Sequence, residues 1–186
     1  MKQTFKSLGI QDVLESRPAI APNYMTADQL EVIMEHNTQI ILPVTGDCME
    51  KAGIEDGGWI AVDFTRMPRA PKYGNDGYSD PCLCLAVWPD QQLPTVMCKA
   101  YSGKWGAYHM VGTQYASMWK GDKLRLNVGL FAEKIYGVVF ASWDRDGRLK
   151  WQRDPAEYPA ELPTASTIHG ENVREPVRMG DRNEKR

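Results

Sequence analysis

The chain has 186 residues, 42% of them hydrophobic and 25% charged, which suits one soluble domain with extensions rather than two full domains. A formal net charge of −2 gives no electrostatic reason to expect nucleic acid or an acidic membrane surface as the main partner. No run approaches the ~20 apolar residues needed to span a bilayer, and the first residues lack the apolar core of a secretory signal, so the expectation is a cytoplasmic protein without membrane attachment.

In chain order, residues 1–37 form an arm with one helix signal. Thr26 stands as N-cap, with Gln29 three residues on at the capping-box spacing, and Leu30, Ile33 and Met34 follow as a short apolar stripe. The spacing predicts a helix over about Ala27–His36. Gln39–Val44 is a β-rich run ended by the turn signal Thr45-Gly46-Asp47, and a helical turn around Met49–Ala52 fits next. Trp59–Phe64 alternates as a strand, and Thr65–Pro81, with three prolines and two glycines, reads as an exposed loop. Further strands are expected at Cys82–Val87, Thr95–Tyr101, Trp105–Val111, Lys123–Val128 and Ile135–Trp143, with Leu149–Gln152 closing a hairpin. Residues 154–186 are rich in proline and charge and poor in large apolar groups, so alone they should be flexible. The sum is a mostly-β domain over residues 38–153, between an arm and a tail.

The chemistry-bearing stretch is Val44-Thr45-Gly46-Asp47-Cys48-Met49, followed by Gly53-Ile54-Glu55-Asp56-Gly57-Gly58-Trp59-Ile60-Ala61-Val62-Asp63. A strand runs into a glycine-containing turn that presents a nucleophile type and points backbone N–H groups at one spot. This run resembles the signature of the LexA/UmuD peptidase family, Gly-Asp-Ser-Met followed by Gly-Ile-x-Asp-Gly-Asp and a strand ending Val-Asp. Val96-Met97-Cys98-Lys99 is similar to the strand that delivers the family's catalytic lysine. Tyr136-Gly137-Val138-Val139 is similar to its last core strand, which in the family often lies near a dimer contact. The likeness covers about residues 38–143.

The resemblance implies a LexA/signal-peptidase-like, β-barrel-like fold of bent antiparallel sheets. It implies a catalytic dyad of Cys48 and Lys99, with Gly46, Asp47 and Cys48 forming the oxyanion turn and Met49, Gly53, Asp56 and Gly57 supporting the motif. In such a dyad a buried, neutral lysine takes the proton from the nucleophile. It implies no cofactor or metal, and a regulatory setting of the SOS-response or phage-repressor type. The expected partners are a second copy of the chain, as a homodimer, and a polypeptide substrate or regulatory protein, with no direct DNA binding.

The chain departs from the family pattern in several places. Cysteine replaces serine at position 48; a thiol has an ordinary pKa of about 8.5 and near Lys99 could settle as thiolate and ammonium. An active cysteine variant and a degenerate, inactive module therefore both stand. No Ala-Gly or Cys-Gly precedes Gly46, so self-cleavage at a family-type site is not expected. The arm is too short for a helix-turn-helix domain. Gly58 stands where the family usually has Asp.

Other groups have plainer readings. Cys82 and Cys84 share a strand face without zinc-ligand spacing and read as buried small hydrophobes. Trp105, Tyr108, Tyr115 and Trp119 read as strand packing or dimer contacts. Asp56, an acid in a turn, is expected to cap backbone amides rather than transfer protons.

Overall fold

The structure is a computed structural model. It describes residues 22, 25–69, 75, 78–80, 82–88, 95–101, 109–111, 119, 120, 123–125, 130, 131 and 134–162, with backbone alone at 88, 95–100, 109–111, 119, 124, 125, 130 and 131. These residues form a mostly-β fold with one α-helix.

Helix α1 (Ala27–His36) begins as the capping-box spacing predicts: the Gln29 N–H donates to Thr26 Oγ1 at 3.3 Å and the Thr26 N–H donates to Gln29 Oε1 at 2.9 Å. Such a cap is worth about 1 kcal/mol. The apolar stripe lies on the core, with Leu30 fully buried and Ile33 and Met34 packed beside it. On the outer side, Glu31 Oε1 accepts from Lys134 Nζ at 2.8 Å and from the Tyr136 hydroxyl at 2.9 Å, which ties the helix to the sheet. The Lys134 hydrogen bond holds the Glu31 carboxyl below its ordinary value.

The main sheet contains β1 (Gln39–Pro43), β2 (Trp59–Asp63), β4 (Cys82–Trp88), β5 (Thr95–Tyr101), β6 (His109–Val111), β9 (Leu130–Phe131), β10 (Lys134–Trp143) and β11 (Leu149–Gln152). Its order is β1-β2-β10-β4-β5-β6-β9, with β11 paired to β10, and its neighbours are antiparallel. A small second sheet joins β3 (Tyr78–Ser79), β8 (Lys123–Arg125) and β7 (Trp119–Lys120). The strand β3 falls inside the stretch expected to be an exposed loop, and Ser79 in it is buried.

Strand alternation sorts the side chains of β4 cleanly. Leu83, Leu85 and Val87 enter a first core with Leu42, Ile60, Val62 and Leu30. Cys82, Cys84 and Ala86 enter a second core with Ile41, Ala61, Tyr101 and Phe140. On β10 the alternation is broken, because its register shifts against β4 between Ile135 and Gly137 and against β2 between Val139 and Ala141. Phe140 and Ala141 consequently lie in the same core, the mark of a β-bulge.

The segment expected to be flexible beyond residue 153 is, as far as Leu162, part of the fold. Asp154 Oδ1 accepts from the Ala156 N–H at 2.9 Å and caps a 3-10 turn over Pro155–Glu157. Tyr158 then enters the second core at 3% exposure. Two further bonds hold this strap: the Met67 N–H donates to the Pro159 carbonyl at 2.8 Å, and Arg66 Nη1 donates to the Tyr158 carbonyl at 3.3 Å. The low apolar content of the tail concealed one aromatic anchor in the second core, against which Met67 of the preceding loop also packs.

Cys82 and Cys84 are buried in the second core, 1% and 0% exposed, as small hydrophobes are. Burial pushes the Cys82 thiol up to about 11, well above the range of an exposed thiol. Because the folded value is raised, the unfolded chain loses this proton first. The stabilisation is therefore complete below pH 9.0 and is lost as pH rises towards about 11. At 1.36 kcal/mol per unit, urea unfolding at about pH 8 and about pH 10.5 should differ by roughly 2 kcal/mol from this group. Burial also raises the Tyr158 phenol above 10.0, which adds to the alkaline loss. In Cys82→Ala the part of the slope beginning near pH 9.0 should vanish; an unchanged slope would assign it to other groups.

Candidate functional site

The Cys48 turn grows from the end of β1. Val44 remains strand-like beyond β1: its N–H donates to the Gly58 carbonyl at 2.9 Å and its carbonyl accepts from the Gly57 N–H at 3.0 Å. The chain then reverses through Gly46 at φ 90°. The Gly46 N–H donates to Asp56 Oδ1 at 2.8 Å, so Asp56 caps a backbone amide as its turn position predicts. Cys48 follows, half-buried and packed against the first core, and Met49 behind it is buried at 3% exposure.

The predicted helical turn is a 3-10 turn over Glu50–Ala52. The Glu50 N–H donates to the Asp47 carbonyl at 3.0 Å, and the Met49 carbonyl accepts from the N–H groups of Ala52 and Ile54 at 2.9 and 3.3 Å. The far end of this turn is held by the β10–β11 hairpin. Trp151 Nε1 donates to the Ala52 carbonyl at 3.1 Å, and the buried Ser142 hydroxyl donates to the Gly53 carbonyl at 2.9 Å. Lys150 and Glu55 add an ion pair at 2.5 Å, which raises the Lys150 pKa above its ordinary value. Neither Trp151 nor Ser142 stands out in the sequence. The signal that could have found them is the hairpin itself, which returns β11 beside the Gly53 turn.

One expected oxyanion donor is otherwise employed. Of Gly46, Asp47 and Cys48, the Gly46 amide is engaged by the Asp56 carboxylate and serves the turn. Gly53 and Gly57 lie at φ 74° and 77°, as left-handed turn residues. Glycine at position 58 has a steric cause. A Cβ there would collide with the Trp143 carbonyl oxygen and come within 3.0 Å of the Glu55 carbonyl oxygen. The pairing of Trp59 with Trp143 brings β10 that close. An Asp in this position would need β10 to end elsewhere.

Lys99 lies in β5, at the register position opposite Cys84. Its side chain is outside the described residues, and so is its distance from Cys48. Trp119 is described by its β7 backbone alone; Trp105, Tyr108 and Tyr115 also lie outside the described residues. Among the described residues, no group of three or more histidine, cysteine or carboxylate side chains is placed to hold a metal ion. No helix among them is long and apolar enough to cross a membrane.

The described part of the site is thus a half-buried thiol in a turn fixed at both ends by hydrogen bonds, at the end of an edge strand of the main sheet. Fixed backbone beside a nucleophile is what acyl transfer needs, since donors that do not reorganise stabilise a developing oxyanion best. Comparison of the chain with models of protein families, with curated proteins and with solved structures gives no match.

Proposed function

We propose that the chain is a LexA/UmuD-like peptidase-fold protein in which Cys48 is the nucleophile and Lys99 its base, acting on a peptide bond of another polypeptide or of its own arm. The observation that carries this reading is the seat of Cys48: a half-buried thiol directly after a strand, in a glycine turn whose backbone is pinned from both sides. The oxyanion donors in this reading are the backbone N–H groups of Asp47 and Cys48.

The chemistry follows from the thiol. Lys99 takes the Cys48 proton, and the sulfur attacks the scissile carbonyl. The tetrahedral adduct collapses to a thioester as its C–N bond breaks, the departing amine receives its proton from Lys99, and water then hydrolyses the thioester. Because a thiol is the stronger acid, the pair can rest as thiolate and ammonium, and the lysine then acts chiefly as the proton donor.

A second reading is a catalytically inactive dimerisation or regulatory module that kept the fold. One observation favours it: the register partner of Lys99 is Cys84 of the second core, whereas Cys48 leans on the first. The experiment that separates the two is intact mass against time over neutral to alkaline pH, for the protein alone and mixed with an unfolded polypeptide. The peptidase reading expects a defined cut slowed at least ~100-fold in Cys48→Ala and in Lys99→Ala. Unchanged masses under all conditions, with sedimentation showing a stable homodimer, would establish the module instead.

A further inference from the structure

We propose that Asp56 is the positioning residue of the Cys48 turn, acting through its hydrogen bond from the Gly46 N–H. The inference rests on the reading of Cys48 as the functional nucleophile and says which side chain seats it.

The backbone bonds near Cys48 fall into two groups. Before the turn, Val44 is zipped to Gly57 and Gly58, and this ladder ends at Val44. After it, the Glu50 N–H donates to the Asp47 carbonyl across Cys48, the Met49 carbonyl gathers the N–H groups of Ala52 and Ile54, and the Met49 side chain is sunk in the first core. Thr45 and Gly46 lie between these two stretches, and Cys48 falls at the start of the second. The Asp56 carboxylate reaches into that interval, taking the Gly46 N–H at 2.8 Å and so extending the zipper by two residues towards the thiol. Gly46 is exposed, and among the described residues nothing lies within 4 Å of where a Cβ would stand. No packing among the described residues therefore holds Gly46 on that side.

The Asp56 side chain is itself exposed, so its replacement opens no cavity in either core. Its loss should free the turn locally and leave the sheet intact. Cys48 is only half exposed, so its alkylation by a neutral reagent depends on how often the turn opens.

The test is iodoacetamide alkylation mapped to each cysteine by peptide mass spectrometry, in the wild-type chain, Asp56→Ala and Asp56→Asn. A hydrogen bond to a charged acceptor is among the stronger ones, so Asp56→Ala should alkylate Cys48 about tenfold faster. Cys82 and Cys84 should stay protected in the same samples, since a local loosening does not reach them. Asp56→Asn keeps an amide oxygen that can accept the same N–H, and should remain within about twofold of wild type.

Three results would overturn the proposal. One is a Cys48 rate in Asp56→Ala that stays within about threefold of wild type. Another is parallel labelling of Cys82 and Cys84, which would mean general unfolding. The third is an Asp56→Asn rate that follows Asp56→Ala, which would assign the effect to charge. Absence of any Cys48-dependent cleavage removes the peptidase reading and leaves this rate comparison intact, so the two failures are distinguishable.

Discussion

Gly137→Ala should destabilise the protein by more than about 3 kcal/mol and prevent a unique fold at moderate temperature. A Cβ at Gly137 would stand 2.5 Å from the Asp63 carbonyl oxygen and 3.0 Å from the Phe64 Cα. Both are backbone atoms, so no rotamer change relieves the contact. Moving them would disturb Asp63, whose carboxylate accepts from Gln39 Nε2 at 2.6 Å, the Thr65 N–H at 2.8 Å and the Thr65 hydroxyl at 2.6 Å. Asp63 is 4% exposed, and a carboxylate at that depth depends on such partners. Chemical denaturation should show a large fall in midpoint, or a molten species with exposed apolar surface. A wild-type midpoint would mean that β10 and β2 can separate at little cost.

Tyr158→Ala should cost about 3 kcal/mol, within the range for removing a large aromatic from a core. Tyr158 is the deepest residue of the strap, with Arg69 lying 5.9 Å over its ring. Its removal also unpins the contacts of Met67 and Arg66 with the strap. The effect has a chemical signature. Cys82 shares the second core with Tyr158, so in the variant the Cys82 thiol should become accessible to alkylation while Leu83, Leu85 and Val87 keep the first core closed. A Cys82 that stays protected in a normally folded Tyr158→Ala protein would show that the strap only rests on the domain.

The parts of the fold legible in the sequence are those where one local rule suffices. The capping box at Thr26 and Gln29 marks α1 over Ala27–His36, and the runs TVMCKAY and LKWQ mark β5 and β11 to the residue. Two-residue strands such as β3, β7 and β9 have too few residues to carry a period of two, so no pattern announces them. Tyr158 eluded a reading of composition because one anchor outweighs the prolines and charges around it.

At the candidate site, the turn and the role of Asp56 were legible because glycine and aspartate report local backbone needs. The hold of Trp151 and Ser142 on the turn was not. It depends on a hairpin almost a hundred positions further along, bonded to the carbonyls of Ala52 and Gly53. The steric need for Gly58 was hidden for the same reason, since the colliding atom belongs to Trp143.

The ten-residue strand β10 has consequences for how the chain matures. It lies between β2 and β4, which have no ladder with each other. Until Lys134–Trp143 has left the ribosome, the β1–β2 and β4–β5 hairpins lack the strand that joins them, and Ile60, Val62, Leu83 and Leu85 await burial. Late, non-local closure of this kind is slow and exposes sticky surface in the interval. A nascent chain arrested before β10 should therefore be a client for holding chaperones, and one arrested after it should not.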